Sequence, residues 1–188
     1  MTTAARARQA AGRAVQVRRA VRSDLPGIVS MLHDDGLGRA REDPSLPLDA
    51  RYIAAFERLD GDDDHLMLVL QQDDLVVGYL QLSFIPGLSR RGLLRGHIEA
   101  VRIAGDRRGQ GLGTILLNRA IDECRARGCG LVQLTSDKKR VDARRFYERF
   151  GYRVVAEEPG RWSYLDDQGN RCEVHEPAWR MEKQLNGY

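Results

Sequence analysis

The sequence predicts an α/β protein: a mixed, mostly antiparallel central sheet of about seven strands, flanked by helices on both faces. Three observations carry that expectation. The periodicities run strand, two helices, three strands, helix, strand, helix, two strands, an order in which helices cover a sheet. The three middle strands follow one another across short turn signals, the pattern of an antiparallel meander. The chain of 188 residues, 42% hydrophobic and 30% charged, has ordinary globular composition and suits one folded domain with a real core.

The elements follow in order. Val15 to Val21 alternates as a first strand, and in "SDLPGIVSMLHDDG" Ser23 or Asp24 is placed to cap a helix whose Leu25, Ile28, Val29 and Leu32 recur at helical spacing. "PLDARYIAAFERLDGDD" repeats the pattern, with Tyr52, Ile53, Phe56 and Leu59 on one stripe and Gly61 closing it. "HLMLVLQQ", the turn "DD" and "LVVGYLQLSFI" form a hairpin, and "GLLRGHIEAVRIA" adds a strand after the Pro86-Gly87 loop. Leu117, Ala120, Ile121 and Cys124 mark a helix ending near Gly128, before the apolar strand "GLVQLTS". "DARRFYERFGY" sets Ala143, Phe146, Tyr147 and Phe150 on one helical stripe. "YRVVAEE" and "AWRMEKQL" are the last two strands, with the polar turn "DDQGN" between them.

Charge is uneven despite a net +3. Residues 1 to 22 hold six arginines and no acid, and residues 24 to 64 hold eleven acids against four arginines. Residues 1–14 lack hydrophobic periodicity and read as a mobile tail ahead of a single domain over 15–188; the tail has no serine, which speaks against an organelle address. No apolar run approaches a membrane span and no signal segment opens the chain, so a cytoplasmic protein without membrane or nucleic-acid partners is expected. Cys124, Cys129 and Cys172 are odd in number and lack CxxC spacing, so reduced thiols and no metal site are expected.

The segment "RRGQGLGT" packs three glycines into five positions between arginines and a helix. A Walker loop requires lysine and Ser or Thr after the last glycine, where Thr114 and Ile115 stand; a dinucleotide fingerprint requires a third glycine where Leu116 or Thr114 stands. What remains is a glycine turn opening a helix, whose N–H groups suit an anion and beside which Arg108 adds charge; a plain tight turn is the alternative. On the preceding strand, His97, Glu99, Val101 and Ile103 share a face by the period-two rule.

"VRIAGDRRGQGLG" resembles the acyl-CoA signature of the GNAT superfamily of N-acetyltransferases: Arg or Gln, two residues, Gly, one residue, Gly or Ala. "DARRFYERFGY" is similar to the later helix of that family, and "VRRAVRSDLPGIVSML" to its opening, so the likeness spans roughly residues 15 to 155. The resemblance implies transfer of an acetyl group from acetyl-CoA, as co-substrate, to a primary amine, with no metal. It implies Glu99 as base, with His97 as the rival, and Tyr147 as the acid that protonates the leaving thiolate; Tyr147 as mere core packing is the alternative. It further implies that Val101 and Ile103 hold the pantetheine arm and acetyl carbonyl through main chain, and that Arg108, Gly109, Gln110, Gly111, Leu112, Gly113, Thr114 and Phe146 bind the co-substrate. Arg140 stands where many relatives have asparagine; with Lys138 and Lys139 it would reach a phosphate of coenzyme A or form a solvated basic loop.

The acid-rich stretch (Asp34, Asp35, Glu42, Asp43, Asp49, Asp60 and Asp62 to Asp64) lies in the part of the chain that roofs the acceptor in this family, which suggests a small cationic amine. Trp162 and Trp179 are candidates for pocket walls or for packing. Two alternatives stay open: a protein acetyltransferase (N-terminal or lysine), and a non-catalytic acyl-CoA-sensing module. A homodimer fits the resemblance.

Overall fold

The computed structural model describes residues 14–35, 38–39, 41–165, 168, 170–175 and 177–185, with side chains 161–165 and 172–175 outside that description. The tail expected over 1–14 therefore falls, apart from Ala14, outside the described residues. The order is β1 (Val15–Arg19), α1 (Leu25–His33), α2 (Ala50–Asp60), β2 (His65–Gln72), β3 (Leu75–Ile85), β4 (Arg95–Ile103), α3 (Leu112–Ala126), β5 (Leu131–Asp137), α4 (Val141–Arg149), β6 (Arg153–Glu158), β7 (Arg161–Leu165), β8 (Arg171–His175) and β9 (Ala178–Gln184). A seven-stranded sheet runs β1-β2-β3-β4-β5-β9-β6. It is mixed: β4 and β5 are parallel, whereas β1–β2, β5–β9 and β6–β9 are antiparallel.

The β2–β3 connection is the residue pair Asp73 and Asp74, both left-handed with φ 48° and 65°, the geometry that matches the twist of a two-residue hairpin. One difference from the sequence reading is β7 and β8. Among the described residues they pair with each other, Arg161↔His175 to Leu165↔Arg171, so two further strands flank the segment "DDQGN" in sequence, itself largely outside the described residues.

The chain divides into two compact units: residues up to Gln81 with Ala100–Ala120, and Leu82–Glu99 with Ile121 onward. In the first, Leu25, Ile28 and Met31 of α1 and Phe56 of α2 pack with Ala20, Met67, Val69 and Tyr79, so the helical stripes meet the hairpin's inner face. In the second, Leu131, Val132 and Leu134 of β5 and Met181 of β9 are each at most 2% exposed, with half-buried Gln133 interrupting the apolar run of β5. A Cβ at Gly96 would collide with the Cys124 sulfur, so glycine is required where β4 meets α3.

Asp24 does not cap α1 through its side chain. Its carboxylate instead accepts both Arg18 guanidinium nitrogens, at 2.7 and 2.9 Å, and the Val21 N–H at 2.8 Å. Burial pushes the carboxyl pKa up, but Arg18 and the Val21 N–H outweigh it and hold the carboxyl below its usual range. A depressed carboxyl adds stability above its unfolded pKa, and that share is lost as pH falls through the folded value. Asp24→Asn is therefore expected to cost about 2 kcal/mol at pH 7, with the deficit shrinking as the buffer is taken below pH 3.9, the ordinary Asp value. Urea unfolding of both proteins at several pH values checks this; a deficit independent of pH would reject it.

Candidate active site

The ladder between β4 and β5 runs from Arg95↔Leu131 to Ile98↔Leu134, while β5 continues against β9 as far as Asp137↔Ala178. Just past the end of the β4–β5 ladder the backbone of β4 turns left-handed at Ala100, φ 52°. A left-handed residue departs from the extended geometry of a regular strand. Burial records the change. Gly96 and Ile98 are buried between half-buried Arg95 and His97 and exposed Glu99, whereas Ala100 to Ile103 are all half-buried. The side chains of His97 and Glu99 approach each other, as one shared face requires, and Val101 and Ile103 follow the left-handed Ala100.

His97 Nε2 lies 3.6 Å from Glu99 Oε1; the side chains are 21% and 52% exposed. Two partners escaped the sequence reading. Gln133, directly opposite His97 on β5, brings its Nε2 to 3.2 Å from His97 Nδ1. Arg95 donates from Nη1 to Gln133 Oε1 at 3.4 Å. Arg95, His97, Glu99 and Gln133 thereby form one polar row. Only the cross-strand register unites them.

Beyond Ala100, the Val101 carbonyl accepts from Arg102 Nη1 at 2.9 Å, and Arg102 Nη2 pairs with Asp35 Oδ2 at 2.8 Å. That pair is 16% and 12% exposed, so Asp35 anchors the segment after α1 to β4. The Ile103 carbonyl accepts from Arg108 Nε at 3.2 Å. Arg108, expected to face an anion, braces the end of β4 with that nitrogen.

The glycine turn follows. Gly109 and Gly111 are left-handed, φ 76° and 79°, and α3 begins at Leu112, with the Thr114 N–H reaching Gly111 O at 3.0 Å. Leu112 is buried and pins the helix start; Gly109, Gln110, Gly111 and Thr114 are exposed, and Gly113 is half-buried. Gln110 Nε2 donates to Asp106 O at 3.3 Å, which braces the turn from within. A Cβ at Gly109 or Gly111 would meet nothing within 4 Å. Glycine is therefore required there for the dihedral angle, and the space before the backbone is open. The first N–H groups of a helix have no intrahelical partner and carry partial positive charge, a setting that favours an anion.

On α4, Tyr147 is buried, 8% exposed, with Phe146 edge-on at 5.4 Å and Tyr152 at 5.8 Å. Phe146 is half-buried and also tilts against Phe150 at 5.1 Å. Arg140 precedes the helix: its N–H reaches Asp137 O at 3.0 Å and its carbonyl accepts the Arg144 N–H at 3.1 Å. Lys138 pairs with Glu157 on β6. That contact holds the Glu157 carboxyl below its usual range. Trp179 is half-buried, with the Arg144 guanidinium 4.6 Å above its ring. The side chains of Trp162 and Cys172 lie outside the described residues. Cys124 and Cys129 are buried free thiols.

Much of the acid-rich stretch has local partners. Asp35 holds Arg102; Asp60 accepts Arg19 at 3.0 Å; Glu42 accepts the Tyr52 hydroxyl at 2.9 Å; and Asp49 caps α2 through the Arg51 N–H at 2.8 Å. Arg51 holds the Asp49 carboxyl down to about 2. Among the described residues, no group of three or more His, Cys, Asp or Glu side chains is placed to hold a metal, and no helix is long and apolar enough to cross a membrane.

Residues 31–152 match the family model of the acetyltransferase (GNAT) family. A glucosamine 6-phosphate N-acetyltransferase of Trypanosoma brucei brucei is 37% identical over 79 residues, 42% of this chain and 52% of that protein. An aminoalkylphosphonate N-acetyltransferase of Salmonella typhimurium is 36% identical over 89 residues, 47% of this chain and 56% of that protein. The chain thus spans about half the length of these two curated relatives. Among solved structures, one described as a transcriptional regulator from Bacillus halodurans C-125 superposes with a TM-score of 0.75 at 42% identity, over 77% of this chain and 97% of its own.

Proposed function

The chain belongs to the GNAT acetyltransferase family, and from that premise we propose that it transfers an acetyl group from acetyl-CoA to the primary amine of a small molecule by direct attack on the thioester. The observation that carries this reading is the open glycine turn at the head of α3, with two left-handed glycines and no side chain in front of them. Such a turn suits the diphosphate of coenzyme A, with Arg108, Gln110, Leu112, Gly113 and Thr114 framing it. The main chain of Val101 and Ile103 is assigned to the pantetheine and acetyl carbonyl. Arg140 and Phe146 of the α4 segment are assigned to the same co-substrate.

An amine of pKa near 10.4 is neutral in roughly one molecule per few thousand at pH 7, so a base beside the acceptor is required. Glu99 takes that proton, His97 stands next to it, and Tyr147 returns a proton to the departing sulfur. The acceptor is better sought among amines that carry a phosphate or phosphonate than among polycations. The two curated relatives are named for such acceptors, and Asp35, Glu42, Asp49 and Asp60, which suggested a cationic one, are engaged by the protein's own groups.

A second reading, an acyl-CoA-binding module without turnover, draws support from the description of the Bacillus halodurans structure. Calorimetric titration with acetyl-CoA and a thiol-release assay over glucosamine 6-phosphate, an aminoalkylphosphonate, spermidine and an alanine-terminated peptide separate the readings. Binding followed by release with a phosphorylated amine is expected. Binding without release from any acceptor favours the module, and no heat of binding removes both.

A further inference from the structure

The polar row on β4 and β5 has a direction, and the direction follows from which groups can donate. A guanidinium only donates, so Arg95 Nη1, 3.4 Å from Gln133 Oε1, fixes the Gln133 amide with its oxygen toward Arg95. The amide nitrogen then faces His97 Nδ1 at 3.2 Å, and because it too only donates, Nδ1 must present its lone pair. In the neutral ring the proton consequently sits on Nε2, the nitrogen 3.6 Å from Glu99 Oε1. That spacing is longer than a hydrogen bond, yet it aims an N–H dipole at the carboxylate. Glu182, opposite Gln133 on β9, lies 3.9 Å from Arg180.

We infer that Gln133, oriented by Arg95, is a positioning residue that holds His97 as the Nε2–H tautomer and thereby orients Glu99. The inference deepens the transferase reading and rests on it for its catalytic consequence. It also decides between the two candidate bases. With Nδ1 engaged by an amide donor and Nε2 carrying the proton, neutral His97 has no lone pair to offer an acceptor amine. Its N–H points toward Glu99 Oε1, and the carboxylate is left as the group that can accept the ammonium proton.

The test uses the full-length protein with ¹⁵N-labelled histidine and no substrate, so its first arm is independent of turnover. In wild-type protein the His97 resonances, assigned with His97→Asn, are expected to show an unprotonated Nδ1 and a protonated Nε2. Gln133→Leu is expected to mix the tautomers, and Gln133→Glu, which offers an acceptor, to protonate Nδ1. Wild-type signals from His33 and His65 report that the variants keep their fold. In the second arm, Gln133→Leu is expected to lower kcat by roughly 10-fold to 100-fold, the scale of a misplaced catalytic group, with KM for acetyl-CoA unchanged. A protonated Nδ1 in wild-type protein, or a Gln133→Leu spectrum identical to wild type, overturns the inference. Absence of turnover in the wild type removes the transferase reading, and the tautomer result then decides the inference alone.

Discussion

Glu99→Gln is expected to lower kcat/KM for the amine by about 10²-fold to 10⁴-fold, the range for removal of a general base. The substitution keeps length and shape and replaces a carboxylate that is 52% exposed, so unfolding stability should stay within about 0.5 kcal/mol of wild type. The pH profile carries the sharper information. With Glu99 present, the bound ammonium can lose its proton within the complex. Without it, the reaction draws on amine that is already neutral in solution, and that fraction grows about tenfold per pH unit until the amine's own pKa near 10.4. The variant's rate should therefore climb with pH up to the pKa of whichever amine is used, and its deficit should be greatest in the acid range. Steady-state thiol release from pH 6 to 10 measures both quantities. A variant within twofold of wild type, with the same profile, would remove Glu99 from the chemistry.

The elements that bury an apolar stripe could be read from the sequence, and those defined by a partner elsewhere in the chain could not. "HLMLVLQQ" and "LVVGYLQLSFI" are β2 and β3 to the residue, because one continuous apolar run and one near-alternating run flank a two-residue turn. By contrast "RWSYL" and "RCEVH" are short and rich in polar residues, and they pair outside the main sheet, so no core stripe announced them. The local sequence offers Ser23 or Asp24 as the cap of α1; Asp24 takes that position, but Arg18 on β1 claims its carboxylate. The candidate site divides in the same way. The glycine turn and the phase of His97 with Glu99 are local properties. Gln133 was out of reach because its meaning depends on parallel register with β4, and the left-handed Ala100 was hidden because no glycine stands there to signal it. That residue stands in sequence between Glu99 and Val101, two of the residues in the proposed roles.

Tyr147→Phe is expected to slow acetyl transfer by about 10²-fold, the lower range for loss of a general acid. Phe retains the ring that meets Phe146 at 5.4 Å and Tyr152 at 5.8 Å, and the helix-end bonds to the Tyr147 carbonyl, from the Phe150 and Tyr152 N–H groups, do not depend on the side chain. Stability should thus fall by no more than about 1 kcal/mol, the worth of one hydroxyl hydrogen bond. The hydroxyl is what is removed. A phenol of pKa near 10 remains protonated at pH 7, so it can donate to sulfur as the carbon–sulfur bond breaks; the variant must release a bare thiolate. Because Tyr147 also lies on the buried stripe of α4, Tyr147→Ala is the necessary companion. It should cost about 3–5 kcal/mol of stability through the cavity it leaves. Denaturant unfolding and thiol release on both variants separate the two roles. A Phe variant with wild-type turnover beside a destabilised Ala variant would make Tyr147 a core residue only, and the proton for the leaving sulfur would have to come from another group or from water.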